Sequence, residues 1–225
     1  MLGAWAAQPT GFNTVGPVAG PLAATGVALF DGVGRVTGVA TANFNGIVNF
    51  PFSLDGSYTV TADCKVQVLE ESLRITFEGY LANGRTEALL MEPDQTTISL
   101  VTLRRQNIDD CSPGALSALL NDTWAMSASG YDIITGGRFA SNSRISFSRT
   151  GAMQGTALVS TNGRVATVPY TGTWSGRDQC SLEMVLTDDR GNSSGYYGSL
   201  FDGGKQFLFV SNDFGVVIAG IAKKP

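Results

Sequence analysis

The 225-residue chain contains no histidine. Histidine is the commonest general base and metal ligand near neutral pH, so its absence removes the usual dyads and triads of nucleophilic enzymes. Only three cysteines, Cys64, Cys111 and Cys180, accompany the scattered carboxylates. Zinc sites in proteins are built mainly from cysteine and histidine. We therefore expect neither a metal site nor any other cofactor.

Concentrated positive charge is also missing. The formal net charge is −4 and the sequence pI is about 4.8. Basic residues stand side by side only at Arg104–Arg105 and Lys223–Lys224. A protein that neutralises several phosphates needs a concentrated basic face. We therefore expect no nucleic-acid partner.

Long apolar runs are absent as well, since none approaches the roughly 18–20 residues that span a bilayer. The opening segment MLGAWAAQPTGFN lacks the basic and apolar regions of a secretory signal. These features predict a cytoplasmic protein without a membrane span. The alternative is a secreted protein from which a signal peptide has been removed.

Glycine is abundant, with 28 residues, and it marks an internal repeat. The segment FDGVGRVTG at Phe30–Gly38 returns as FSRTGAMQG at Phe147–Gly155, with the phenylalanine and two glycines in register. Further matches follow in the same order: Gly3-Ala4-Trp5 with Asp122-Thr123-Trp124, Cys64 with Cys180, and Asn83–Arg105 with Gly203–Pro225, where Glu87 aligns with Phe207. Such ordered landmarks indicate a tandem duplication.

Each copy divides into about eight short strands separated by turn signals. In the first copy, hairpin turns are predicted at Asn45-Gly46, Asp55-Gly56 and Asn83-Gly84. Hydrophobic residues alternate with polar ones along the strands, as at Val66 and Val68 in CKVQVLE. One apolar face, repeated around eight strands with no covering helices, predicts a small closed barrel. An open sandwich is the alternative.

The predicted fold is all-β, with two tandem eight-stranded antiparallel up-and-down barrels over residues 1–108 and 122–225. Residues 109–121 are expected to form a linker helix, with Ser112 as N-cap and Pro113 in the first helical position. An apolar stripe of Leu116, Leu119 and Leu120 would dock this helix on one or both barrels. We expect a pseudo-dimer within the chain about a pseudo-twofold axis, and the sequence leaves open whether the chain forms homo-oligomers.

The sequence G-x-W on the first strand, with a basic residue on the last, resembles the calycin pattern of lipocalins and avidins. This resemblance implies that a tryptophan closes one end of each barrel beneath a basic side chain: Trp5 with Arg104 or Arg105, and Trp124 with Lys223 or Lys224. The copies are also similar to the small barrels of allene oxide cyclases and bacterial polyketide cyclases, including spirotetronate Diels–Alderases. Those families imply an apolar cavity, but none of their catalytic residues has a match here.

Two sets of side chains are candidates for a site. Arg74, Glu78, Tyr80 and Glu87 form the catalytic candidates. They are interpreted either as a solvated outer face or, if Glu78 or Glu87 points inward, as an acid or base with a raised pKa. The candidate ligand-binding residues are Tyr58, Phe77, Trp174, Met184 and Phe207.

The cysteines have a structural interpretation. Cys64 and Cys180 occupy matching places in different copies, so we expect both to be buried and not to bond each other. Cys111 is expected to be a free thiol in the linker. Three cysteines without an expected disulfide favour a reducing compartment.

Three functions fit these observations. The first is a cofactor-independent cyclase or isomerase that binds an apolar small molecule and acts by shape and positioning alone. The second is a non-catalytic carrier of lipocalin type. The third is a structural pair of barrels filled by their own side chains.

Overall fold

The computed structural model describes residues 1–72, 74–93 and 97–225, with the backbone alone at residues 49–52. These residues form two closed antiparallel barrels, and the predicted fold is confirmed. The strands of the first barrel are β1 (Leu2–Asn13), β2 (Gly20–Asp31), β3 (Arg35–Phe44), β4 (Ile47–Val60), β5 (Lys65–Glu70), β6 (Ile75–Ala82), β7 (Glu87–Met91) and β8 (Thr97–Arg105).

After the helix α1 (Pro113–Leu120), the second barrel repeats this meander. Its strands are β9 (Thr123–Asp132), β10 (Gly137–Phe147), β11 (Ala152–Thr161), β12 (Arg164–Arg177), β13 (Ser181–Asp188), β14 (Ser193–Phe201), β15 (Gln206–Ser211) and β16 (Val216–Lys223). In each barrel every strand pairs with the next in sequence, and the last strand closes on the first. No helix in the described part of the chain is long and apolar enough to cross a membrane.

The repeated glycines serve the same hairpin in both barrels. Gly34 and Gly151 have φ values of 122° and 84°, which favour glycine. A Cβ at Gly38 or Gly155 would collide with the backbone carbonyl of the neighbouring strand. The repeat therefore reflects two physical needs, a turn with positive φ and a close approach of two strands.

The turn predicted at Asp55-Gly56 is wrong, because both residues lie inside the unbroken strand β4. A Cβ at Gly56 would collide with the carbonyl oxygen of Leu69 on β5. Glycine at this position permits close approach within the sheet, which a sequence pattern does not distinguish from a turn. By contrast, Asn45 and Gly46 both have positive φ and join β3 to β4 as predicted.

The strand registers correct the sequence alignment near the end of each copy. Two short 3-10 turns with the same positive-φ pattern, Asn83–Arg85 and Asp202–Gly204, lie at matching positions. Glu87 therefore matches Gln206 and not Phe207. A slip of one residue matters because it moves every side chain of a strand to the opposite face.

Helix α1 closes one end of the second barrel. Its N-cap is confirmed, since Ser112 Oγ accepts a hydrogen bond from the Ala115 amide at 3.4 Å. Leu116 and Leu120 are fully buried in the core of the second barrel. The Leu120 carbonyl also accepts a hydrogen bond from the Trp124 indole at 3.0 Å.

A disulfide joins Cys111 to Cys180, with their Cα atoms 4.7 Å apart. The expectation of a free Cys111 is therefore wrong, whereas Cys180 is buried and does not bond to Cys64, as expected. The repeat does not predict this bond, because the linker that carries Cys111 has no counterpart in the two copies. Cys64 is a free thiol, but the expectation that it is buried is wrong, because it is half-buried and lines a cleft at the barrel end that contains Trp5.

The two barrels meet through different strands, so the predicted pseudo-twofold relation is wrong. The first barrel contributes β1 and β2, and the second contributes β14, β15 and β16. Two apolar clusters cross the interface: Ala6 with Phe201 and Leu208, and Ala23 with Val210 and Val217. Gln8 Nε2 donates to the carbonyls of Phe209 and Gly220 at 3.1 and 3.0 Å. An interface between unlike surfaces of two similar units is heterologous.

Candidate functional site in the first barrel

The first barrel encloses an apolar cavity of about 100 Å³. Residues from most of its strands line the cavity, including Ala7, Ala28, Val36, Val68, Phe77 and Leu90. The volume is below the roughly 300–1,000 Å³ of pockets that enclose drug-sized ligands. The space suits a small apolar molecule or the apolar end of a larger one.

The cavity exists because small side chains occupy inward positions that are bulky in the second barrel. The strand registers match these positions in pairs: Ala7 with Met126, Ala28 with Ile145, Val36 with Met153, Val68 with Met184, and Leu90 with Phe209. Each replacement in the first barrel removes side-chain volume. The two barrels therefore share a backbone plan but differ in how far their side chains fill the interior.

Aromatic rings pack through the interior of the second barrel. The Trp124 and Phe207 ring centroids lie 5.1 Å apart, and Phe147 lies 6.0 Å from both rings. Three of the candidate ligand-binding residues are part of this packed core: Trp174, Met184 and Phe207. The indole of Trp174 donates to the Ser148 carbonyl at 3.1 Å.

The other two candidate ligand-binding residues lie in the first barrel. Phe77 lines the cavity. Tyr58 packs edge-on against Phe30, with centroids 4.9 Å apart, and its hydroxyl donates to the Met1 carbonyl at 2.6 Å. Tyr58 therefore helps to close the barrel end that contains Trp5.

One residue with a carboxylate side chain, Glu70, is among those that line the cavity; it is 2% exposed, and the surface open to the cavity is apolar. It is the only ionisable side chain among the described residues that line this space. Ser72 Oγ donates to Glu70 Oε1 at 2.6 Å. Sequence reasoning missed Glu70, although the alternation that placed Val66 and Val68 inside the barrel continues to it.

A second buried carboxylate lies near the same end of the barrel. Glu92, which is 7% exposed, accepts a hydrogen bond from Ser99 Oγ at 2.9 Å. Glu70 is the last residue of β5 and Glu92 follows β7, both at the strand ends that point away from Trp5. The first barrel thus has an aromatic end and an end with buried carboxylates.

The four catalytic candidates lie away from the cavity. Glu78 is on the outer face, where Lys65 Nζ lies 3.0 Å from Glu78 Oε2. The hydrogen bond from Lys65 holds the pKa of Glu78 below its ordinary value. A raised pKa for an inward-facing Glu78 is therefore wrong, and the outer-face interpretation describes it. Tyr80 and Arg74 are also exposed.

Glu87 lies beside the barrel interface. Arg104 Nη2 lies 2.8 Å from Glu87 Oε1, and the Arg104 guanidinium extends over the ring of Phe201 at 5.1 Å. This ion pair connects the last strands of the first barrel to the second barrel. Catalytic roles for Glu87, Glu78, Tyr80 and Arg74 stay predictions, and this geometry gives them no contact with the cavity.

The structure shows which of the two basic residues lies beside the tryptophan in each barrel. Lys224 Nζ lies 5.3 Å from the centroid of the Trp124 ring, so Lys224 is the partner in the second barrel. In the first barrel, Arg105 is the cross-strand partner of Trp5. Arg104 points instead toward Glu87 and Phe201.

Comparisons with known proteins add little to this geometry. A scan against protein-family models gives no match. A search of curated proteins gives no significant match.

Solved structures align along nearly the whole chain but superpose loosely. Kievitone hydratase from Nectria haematococca is 9% identical with a TM-score of 0.32, and the alignment covers 99% of this chain and 89% of that one. Transferrin binding protein B from Neisseria meningitidis is 7% identical with a TM-score of 0.38, covering 99% and 76%. A protein of unknown function from Nostoc punctiforme is 13% identical with a TM-score of 0.26, covering 100% and 96%. These likenesses are too loose to assign a function, and they give no support to spirotetronate cyclases in particular.

Proposed function

We propose that the first barrel binds a small apolar molecule in its interior cavity, while the second barrel serves as a filled structural partner. The observation that carries this proposal is the difference in side-chain volume at matching positions. Ala28 and Val68 leave space where Ile145 and Met184 fill it. An apolar space from which water is excluded favours an apolar occupant.

Glu70 supports a more specific ligand class. Glu70 is the ionisable residue among the described residues that line the cavity, so we propose that its carboxylate accepts a hydrogen bond from a donor, such as a hydroxyl group, at one end of the ligand. A site built to accept that hydrogen bond discriminates against an analogue that lacks the donor. We therefore expect a preference for apolar alcohols over the corresponding hydrocarbons.

The binding proposal is tested by isothermal titration with benzyl alcohol and toluene. Transplanting the bulkier residues of the second barrel, as Ala28→Ile with Val68→Met, should reduce affinity for both by at least about tenfold, because the added groups fill the cavity. Glu70→Met should remove the preference for benzyl alcohol and leave toluene binding in place. The control Val165→Met changes an exposed position of the second barrel.

Two results would contradict binding in this cavity. One is that neither compound binds the wild-type protein. The other is that the Ala28→Ile, Val68→Met variant binds both as tightly as the wild type while retaining the wild-type melting temperature.

Conversion of the ligand by cyclisation or isomerisation is a second candidate function, for which Glu70 is the candidate acid or base among the described residues that line the cavity. A dry, shaped pocket can hold a substrate near its reactive geometry without a nucleophile. Glu70 could hold or move one proton at its carboxylate. The alternative remains a carrier that returns its ligand unaltered.

Liquid chromatography with mass spectrometry distinguishes conversion from carriage. The purified protein is incubated with an apolar extract of its source organism, and the bound and free fractions are compared. Conversion predicts a compound of unchanged mass and altered retention time, which Glu70→Met no longer produces. A compound that is bound and recovered unaltered would support the carrier and contradict conversion.

We also propose an oxidising compartment, because the Cys111–Cys180 disulfide persists best there. This proposal favours the secreted alternative over the cytoplasmic expectation. Alkylation of the protein in freshly broken source cells tests it. Modification of Cys64 alone is expected, and modification of all three cysteines would contradict the proposal.

A further inference from the structure

The surface with which the second barrel docks on the first has an unused counterpart. Three outward residues of β15 and β16 contribute to the barrel interface: Leu208, Val210 and Val217, which are 2%, 0% and 3% exposed. The strand registers match these residues to Leu89, Met91 and Ile98 of the first barrel, which are 53%, 51% and 63% exposed. The part of the docking surface formed by β15 and β16 is therefore buried in the second barrel, and its counterpart in the first barrel faces solvent.

The exposed copy is a continuous apolar surface. Met91 lies opposite Leu100 across β7 and β8, and Ile98 lies opposite Phe12 across β8 and β1. We call this surface the β7–β8 patch, formed by Phe12, Leu89, Met91, Ile98 and Leu100. Its strand β1 also carries Gln8, which bonds to the second barrel, so the patch adjoins the established interface. Contiguous exposed apolar side chains mark interaction sites.

The surface that receives the second barrel is duplicated too. On the first barrel, Ala6 and Ala23 present small side chains to the apolar residues of β15 and β16. The matching residues of the second barrel are again alanines, Ala125 and Ala140, and both are exposed. We call the surface around them the β9–β10 face, formed by Ala125, Ser127, Ala140 and Asn142.

Two arginines of the second barrel stand on this face, with Arg144 directly opposite Ala125 and Arg138 two residues before Ala140. Arg138 and Arg144 match Pro21 and Val27 of the first barrel. Pro21 and Val27 line two open clefts at the edges of the internal interface. Both positions are nevertheless buried in the internal contact, so a docked barrel would cover the stems of the two arginines, and each guanidinium would have to extend along a cleft to reach solvent.

We propose that a second copy of this chain docks its β9–β10 face on the β7–β8 patch, repeating between molecules the contact that joins the two barrels within one molecule. The contact is heterologous, so a pair of molecules still has one free β7–β8 patch and one free β9–β10 face. Such an interface builds either an open row of barrels or a closed ring. The proposal is independent of whether the cavity binds a ligand.

The proposal is tested by sedimentation velocity over a wide range of protein concentrations, with lipid vesicles absent. The wild-type protein should associate, with its average mass rising with concentration. Leu100→Glu places a charge on the β7–β8 patch, and Ala140→Glu places one on the β9–β10 face. Each variant should be monomeric, because a buried unpaired charge is costly. The control Val165→Glu, at another exposed position, should associate as the wild type does.

Mixing the two variants provides the sharpest result. Leu100→Glu retains an intact β9–β10 face and Ala140→Glu retains an intact β7–β8 patch, so an equimolar mixture should form one-to-one dimers and nothing larger. Circular dichroism melting confirms that each variant is folded before mixing.

Three outcomes would overturn the proposal. The first is a wild-type protein that stays monomeric at every concentration. If such a monomer binds phosphatidylcholine vesicles through its β7–β8 patch, the occupant of the patch is a lipid surface and not a second copy of the chain. The second is association that Ala140→Glu leaves intact, which would indicate a face-to-face contact of two β7–β8 patches. The third is a mixture of folded variants that forms no dimer.

Discussion

Asn43 Nδ2 of the first barrel donates a hydrogen bond of 2.6 Å to the carbonyl of Val216 in the second barrel. Asn43 is 1% exposed, and its Oδ1 accepts from the Gly46 amide at 3.0 Å. One buried amide therefore connects a tight turn of one barrel to a strand of the other. Removing it would leave buried backbone groups without this partner.

Asn43→Ala should lower the free energy of unfolding by about 1–3 kcal/mol, which is the cost of an unsatisfied buried polar group. Urea denaturation measures this change. Ser160 occupies the matching position in the second barrel. Ser160→Ala should change stability by less than about 0.5 kcal/mol. Equal losses in the two variants would contradict the role of Asn43 at the interface.

Replacing the hairpin glycines should destabilise both barrels. Gly34→Val and Gly151→Val each force a branched side chain into a positive-φ conformation, at a cost of more than about 1 kcal/mol. Thermal denaturation reports the loss. Gly114→Ala in helix α1, where no neighbouring atom lies within 4 Å of the added Cβ, is the control and should be neutral or stabilising. An unchanged melting temperature for both valine variants would contradict the shared hairpin role.

The disulfide should contribute measurably to stability, because Cys111 and Cys180 are 69 residues apart in sequence. Closing a long loop restricts the unfolded chain, and typical gains are about 2–4 kcal/mol. Serine at both positions should produce that loss in urea denaturation, and added reductant should not lower the stability of this variant further. The control is Cys64→Ser, since Cys64 forms no disulfide. Reductant that leaves the wild-type stability unchanged would contradict the prediction.

Stability should fall in alkaline solution partly because of Tyr196, whose burial raises the pKa of its hydroxyl to about 12. The unfolded tyrosine loses its proton near pH 10, while the folded one keeps it to higher pH. The unfolded state then binds fewer protons, so stability falls as pH rises from about 10 to 12. The loss attributable to this residue is up to about 2 kcal/mol.

Tyr196→Phe should reduce that alkaline loss, as measured by urea denaturation at several pH values. Tyr80→Phe, at an exposed position, is the control and should retain the wild-type dependence. A Tyr196→Phe variant whose stability falls as steeply as that of the wild type would contradict the assignment.

The barrels could be predicted from the sequence because their signals are local. Alternating residues such as Val66 and Val68 define an inner face, and the hairpin glycines define the turns between strands. The same local view could not distinguish Gly56 in a strand from a glycine in a turn. That distinction depends on how closely Leu69 of the next strand approaches.

The site was harder to predict because it depends on contacts between distant parts of the chain. The alternation that buried Val68 also buries Glu70, but its charge made an inner position unexpected. The cavity arises from a difference in side-chain volume between the barrels, and the one-residue displacement of the alignment near Glu87 conceals only one of the matching pairs, Leu90 with Phe209. The heterologous barrel contact and the Cys111–Cys180 bond depend on docking, which the repeat does not specify.

The most direct test of the account is to locate a bound apolar probe by nuclear magnetic resonance of methyl-labelled protein titrated with benzyl alcohol. The account predicts saturable shifts for methyl groups that line the first barrel, such as those of Leu90, Val101 and Leu103. Methyl groups of Leu182 and Leu200, in the core of the second barrel, should be unaffected. Shifts confined to the second barrel or to the exposed Leu89 and Leu100, or no shifts at all, would contradict a ligand site inside the first barrel.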